Sequence, residues 1–194
     1  SFISGRHLLD HVDEMLDVIR EESETDLLNM AGLQEEEDLF APVIDSFKNR
    51  WLWLVINLFT AFVASRVIGV FEHSIAQIVA LAALMPIVAG IGGNSGNQTT
   101  TMIVRSLAMG QLNLSQWGRL LRKELAVALM NGVIWGSAMG AVAYWLYGNV
   151  GIGLVMVAAM TLNLLLAATM GVLIPVVMER FGRDPAVGSS VLIT

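Results

Sequence analysis

Residues Pro86 to Thr101 read PIVAGIGGNSGNQTTT and sit inside a long apolar run. They place one proline, four glycines, two asparagines, one glutamine and three threonines where a membrane-buried helix normally avoids them. At about 100° per residue, with Gly90 at 0°, Gly93 falls near ~300°, Asn94 near ~40°, Asn97 near ~340° and Thr101 near ~20°. Treated as a helix, the stretch gathers two carboxamides, a hydroxyl and two bare backbone positions on a stripe about 100° wide. Pro86 lacks an N–H and so frees a carbonyl one turn upstream. The stripe is a column of neutral oxygens, a donor set that suits hard cations. Mg²⁺ gives up water reluctantly and is best served by outer-shell contacts in a wide site, whereas K⁺ wants a tight carbonyl cage. Spacing alone leaves the choice of ion open.

The surroundings make the chain a membrane protein. Of 194 residues, 55% are hydrophobic and 14% charged, with a mean hydropathy of +0.66, outside the range of ordinary soluble domains. Zero cysteines exclude disulfides and thiolate metal sites. Charge divides along the chain: residues 1–45 carry 13 acids against 2 bases, and residues 46–194 carry 4 acids against 9 bases. An acidic aqueous piece precedes an apolar one with basic margins, and neither half has the character of a nucleic-acid binder. The opening residues lack the basic and apolar regions of a secretory signal. The chain ends in mid-pattern at GSSVLIT, and is expected to belong to a longer protein.

The predicted fold is all-α, a polytopic membrane helix bundle preceded by amphipathic cytoplasmic helices. Leu8, Val12, Met15 and Ile19 share helical spacing. After a helix end or bend near Gly32, residues 34–50 are expected to form an amphipathic helix running through Pro42, with Leu39, Val43, Ile44 and Phe47 on one side. The pore domain is expected over 51–194, with spans at about 51–71, 75–108, 125–147 and 152–178 and a fifth starting near Pro185. The second is too long for one straight span and is predicted to bend or unwind at Pro86 and the glycines. Asp184 and Pro185 suit an N-cap and a first helical residue. Trp51 and Trp53 suit an interface. Lys48, Arg50, Arg105, Arg119, Arg122, Lys123, Arg180 and Arg183 fall on one side of this topology, which places the N-terminus in the cytoplasm and the protein in the cell membrane.

Other polar residues have two readings each. Gly92 and Gly96, and the cleaner ladder Gly132, Gly136, Gly140, fit helix packing. Arg66 is expected to snorkel or pair with Glu72. Asn57, Asn131 and Asn163 suit interhelical hydrogen bonds or a cavity wall. His7 and His11 are four apart and could chelate a metal, though a solvated face explains them better. Glu35, Glu36, Glu37 and Asp38 also suit a solvated face. Their mutual repulsion would equally be relieved by cytoplasmic divalent cation, making them a candidate regulatory metal site.

PIVAGIGGNSGNQTTTMIVRSLAMG resembles the second transmembrane helix of the MgtE family of magnesium channels. WLWLVINLFTAFVASRVIGVFE resembles its first helix, NLLLAATMGVLIPVVMERFGRDPA its fourth helix with the entry to the fifth, and VIREESETDLLNMAGL its connecting segment after the CBS domains. The resemblance implies a homodimer embedded in membrane lipid, five helices per protomer, and a Mg²⁺ pore on the two-fold axis. It also implies that residues 1–26 end a cytoplasmic CBS-type regulatory domain, and that residues 27–50 form a connecting helix that closes the pore when internal Mg²⁺ is high. By motif position, the carbonyls of Gly90 and Gly93 would face the ion, and Asn97 and Thr101 would offer side-chain oxygens, with Asn94 close by. The family's pore aspartate would lie in the fifth helix beyond Thr194, and Ser190 stands where some members have an asparagine. Mg²⁺ is then both the transported and the regulatory ion, and no organic cofactor is expected. The alternatives are an ion-coupled divalent-cation transporter and a structural membrane subunit. A membrane enzyme using GGNSGN as an anion nest lacks a nucleophile with its base.

Overall fold

A computed structural model describes residues 42–110 and 116–182, together with residues 12, 15, 16, 18 and 19. Those last five are helical, within the first predicted helix. The acid run Glu35–Asp38, His7 and His11, Ser190 and the helix expected from Pro185 lie outside the described residues. The described chain is all-helical, and four of its helices are long and apolar enough to cross a membrane. They are α1 (Val43–Val70), α3 (Val79–Ala108), α4 (Trp117–Tyr147) and α5 (Val150–Arg180), with a short α2 (Glu72–Gln77) between the first two.

Local chemistry sets the ends. Pro42 has φ −54° and ψ 143° and stands outside α1, so the connecting helix does not run through it as predicted. A proline has no N–H to bond backward and its ring collides with the preceding turn, so it is accommodated most easily where a helix begins. Asp45 in the first turn complements the dipole there. At the other end of the bundle Gly148 takes φ 64° and closes α4, its N–H donating to the Tyr144 carbonyl at 2.8 Å. The Asn149 side chain then accepts from the Gly151 N–H at 2.8 Å and opens α5. Two residues thus reverse the chain and lay α4 and α5 antiparallel.

The predicted unwinding at the glycine cluster does not occur. α3 is helical from Val79 through Ala108 with Pro86 inside it, and the interruption falls at Ile78, with φ −130° and ψ 78°. Inside hydrocarbon an unwound segment would strand N–H and C=O groups, whereas a helix satisfies all but the one that faces the proline. α4 begins at Trp117, eight residues before the predicted span, so the basic segment LLRKE is itself helical.

α5 is the centre of the bundle, packed along α4 on one side and α3 on the other. Its buried residues Met156, Met160, Leu164 and Ala168 join Leu84 of α3 and Ala128 and Ala143 of α4 in one core. A second cluster, Ile103 with Val172 and Val176, ties the other ends of α3 and α5. The ladder is the α4–α5 contact: a Cβ on Gly132 would stand 2.7 Å from Thr161 Cα, one on Gly136 3.1 Å from the Val157 carbonyl oxygen, and one on Gly140 2.7 Å from that of Gly153. Backbone meets backbone there, and nothing flexible can move aside. By contrast, α1 has no buried residue across its most apolar window.

Gly140→Ala and Gly132→Ala are expected to destabilise the detergent-solubilised protein by about 1–3 kcal/mol each. Gly118→Ala, whose Cβ meets nothing within 4 Å, is expected to be neutral or to stabilise by up to ~1 kcal/mol. Thermal unfolding of the three variants checks this.

Candidate functional site

α3 carries two opposed faces. Gly92, Gly96, Thr99, Thr100 and Ile103 are buried and fall between about 180° and 280° on the wheel that puts Gly90 at 0°. This is the packing face. The Thr100 hydroxyl points at the Gly171 carbonyl at 3.4 Å, and a Cβ on Gly171 would lie 3.0 Å from the Gly96 carbonyl oxygen. A Cβ on Gly92 would collide with the Asn163 carboxamide, which donates from Nδ2 to the Val88 carbonyl at 2.6 Å. Asn163 therefore makes the interhelical bond the sequence predicts. Gly92-x-x-x-Gly96 is a packing motif, and its partner is α5.

The other face holds the predicted stripe. Gly90 and Gly93 have nothing within 4 Å of an added Cβ, and Asn94 and Thr101 are exposed while Asn97 is half-buried. Asn94, Asn97 and Thr101, with Gln98, Met102 and Arg105, line a groove of about 620 Å³. Gly90 and Gly93 share the face but lie beyond the groove's lining. Since α3 is continuous, their carbonyls already accept one intrahelical N–H each, leaving a second lone pair. Asn97 Oδ1 is buried and without a hydrogen-bond partner, alone in this among the described side chains. An unpartnered buried carbonyl costs about 1–3 kcal/mol.

The structure separates the alternatives for the other polar residues. Among the described residues Arg66 and Glu72 are both exposed and form no ion pair with each other. Asn57 is exposed on α1, and Asn131 lines a cavity rather than bonding across helices. Sequence reasoning passed over Glu124, left in a polar connection. It is instead a buried α4 residue, 8% exposed, whose Oε2 accepts from the Thr99 hydroxyl at 3.2 Å. A signal was present: Glu124, Ala128, Gly132, Gly136 and Gly140 are four apart and are buried together.

Near the basic end, the Arg180 guanidinium lies 5.9 Å over the Trp117 ring, joining the start of α4 to the end of α5. Arg105, Arg119, Arg122 and Lys123 are exposed at this same end. The described residues hold no group of three or more His, Cys, Asp or Glu able to take a metal ion directly. The oxygens that the groove's side chains offer are the neutral ones of Asn94, Asn97, Gln98 and Thr101.

Residues 85–194 match the model of the MgtE family, described as a divalent cation transporter. The chain is 34% identical over 184 residues to the magnesium transporter MgtE of Enterococcus faecalis, covering 94% of this chain and 40% of that protein. It is 31% identical over 189 residues to the one from Thermus thermophilus, and there the coverage is 94% and 41%. The Bacillus subtilis protein is 28% identical over 183 residues, again covering 94% and 41%. The chain thus spans about two fifths of the length of the curated relatives it matches.

Gly92→Ala is expected to destabilise the protein by about 1–3 kcal/mol through the Asn163 collision. Gly90→Ala and Gly93→Ala, on the open face, are expected to match or slightly exceed wild-type stability. Melting curves separate the two faces without any transport assay.

Proposed function

Because the chain belongs to the MgtE family of divalent cation transporters, we propose that it forms the membrane-spanning part of a Mg²⁺ transport protein, with hydrated Mg²⁺ moving along the α3 groove. The observation that carries this is Asn97 Oδ1, a buried oxygen with no partner, on a face where Asn94 and Thr101 offer further neutral oxygens to one groove. Such an atom is costly in a packing surface and useful beside a water-carrying ion. The relatives named magnesium transporters support the choice of ion.

The finer reading is a homodimeric channel. A polar α3 face cannot be left against lipid, so it must meet water or protein. A second copy facing it would turn a groove into a pore, and the unburied α1 supplies further surface for that copy. Gly90, Gly93, Asn94, Asn97 and Thr101 then line the path, the first two through carbonyls. The carboxylate that attracts the ion is assigned to the helix entered at Pro185. Glu35, Glu36, Glu37 and Asp38 are assigned as the regulatory cluster, on which cytoplasmic Mg²⁺ acts to draw the connecting helix toward the pore mouth. Basic margins at one end of the bundle support an N-terminus in the cytoplasm.

In cells lacking other magnesium importers, Asn97→Ala and Thr101→Ala in the whole protein are expected to lower Mg²⁺ uptake by roughly tenfold at matched membrane expression. A loss of about 1.4 kcal/mol from one site corresponds to that factor. Unchanged uptake would make the stripe a tolerant wall rather than an ion site. Uptake that persists after Na⁺ and H⁺ gradients are collapsed identifies a channel, and uptake that stops identifies a coupled transporter. Neutralising Glu35, Glu36, Glu37 and Asp38 together is expected to leave flux running at internal Mg²⁺ levels that silence the wild type.

A further inference from the structure

Between α3 and α4 lies a half-open cavity of about 270 Å³, whose polar wall is Ser95, Gln98 and Thr99 on one helix and Lys123, Glu124 and Asn131 on the other, with apolar side chains of both helices and of α5 completing it. Glu124 is the one buried acid among the described residues. A carboxylate has about four lone-pair sites. Here Oε2 accepts a single hydrogen bond of 3.2 Å from Thr99, and Oε1 lies 3.9 Å from Lys123 Nζ. Its remaining acceptor sites have no hydrogen-bond donor among the described residues, and Glu124 lines the cavity together with two carboxamides and a serine hydroxyl. Lys123 is the weaker tie, because its side chain is 64% exposed. An ammonium on a flexible stem can leave for water at little cost.

We infer that this cavity is a second divalent-cation site, in which a hydrated cation and the Lys123 ammonium compete for the Glu124 carboxylate. One carboxylate with neutral oxygens is too poor a set to strip Mg²⁺ of water, yet it matches the outer shell of an ion that keeps its hydration. Size agrees: six waters at about 30 Å³ each occupy roughly 180 Å³, within the cavity's 270 Å³. Gln98 and Met102 line both this cavity and the α3 groove, so a cation held by Glu124 stands one side chain away from the groove. Its place beside a transport path rests on the function proposed above; its occupancy by a cation does not. Glu124 itself sits beside the basic end, close to the exposed Arg119, Arg122 and Lys123 of its own helix.

The test uses Mn²⁺ as a paramagnetic stand-in, titrated into the whole detergent-purified protein while free Mn²⁺ is read by its electron paramagnetic resonance signal. Glu124→Gln is expected to weaken one class of sites by about tenfold, the scale of a lost charge-assisted contact. Lys123→Gln, an exposed change that leaves the fold intact, is expected to tighten the same class severalfold. Asn97→Ala is expected to leave that class in place while Mg²⁺ uptake falls. A Lys123→Gln titration superimposable on wild type overturns the inference, whether or not Glu124→Gln folds, and leaves Glu124 as a structural partner of Thr99. Should Lys123→Gln tighten Mn²⁺ while Asn97→Ala keeps full uptake, the cavity site stands and the groove reading falls.

Discussion

Everything in this bundle depends on how closely three helices approach at positions without side chains. Lipid supplies no hydrophobic driving force between helices, so association must come from packing and from hydrogen bonds across the contact. Gly132, Gly136 and Gly140 let α4 lie backbone to backbone on α5, and Gly171 with Gly96 does the same for α3. The Asn163 bond to the Val88 carbonyl adds a polar anchor in that second contact. With α5 thus committed on both sides, α3 has one rotational setting, and its Asn94, Asn97 and Thr101 face turns away from the core.

That setting explains why glycine plays two parts within a few residues. Gly92 and Gly96 are buried against α5, while Gly90 and Gly93 face open space. The same residue type serves contact on one face and access on the other, separated by roughly half a turn. The polar load divides likewise. Thr99 and Thr100 spend their hydroxyls on Glu124 and on the Gly171 carbonyl, whereas Asn97 leaves an oxygen unpaired. A helix that satisfied every polar group internally would be a better membrane anchor and a poorer lining for a hydrated ion.

The α3–α4 boundary is built differently from the two glycine contacts. It is held by the Thr99–Glu124 hydrogen bond beside a cavity of mixed polar and apolar lining rather than by close packing. Burying a carboxylate near a membrane is expensive unless it is partnered, and acids so placed tend to mark ion or proton sites. The basic residues around this end, with Arg180 over Trp117, give Glu124 the opposite sign from its surroundings.

Much of this was legible in the chain by itself, for a local reason. The four spans, the end of the third at residue 147 and the shared face of Gly90 to Thr101 all follow from hydropathy, backbone stereochemistry and the 3.6-residue repeat, which act within a few residues. The 132–136–140 ladder and the side of the basic margins were legible on the same grounds. Of the bend or unwinding predicted for the second span, the unwinding is absent: the glycine-rich stretch stays helical because lipid penalises an unwound backbone more than glycine weakens a helix. Only the tertiary structure decided which glycines pack and which stay open, that Asn163 bonds to α3 while Asn131 lines a cavity, and that Glu124 is buried. Each of those depends on a neighbour tens of residues away, and no periodicity within one helix names the helix that will lie against it.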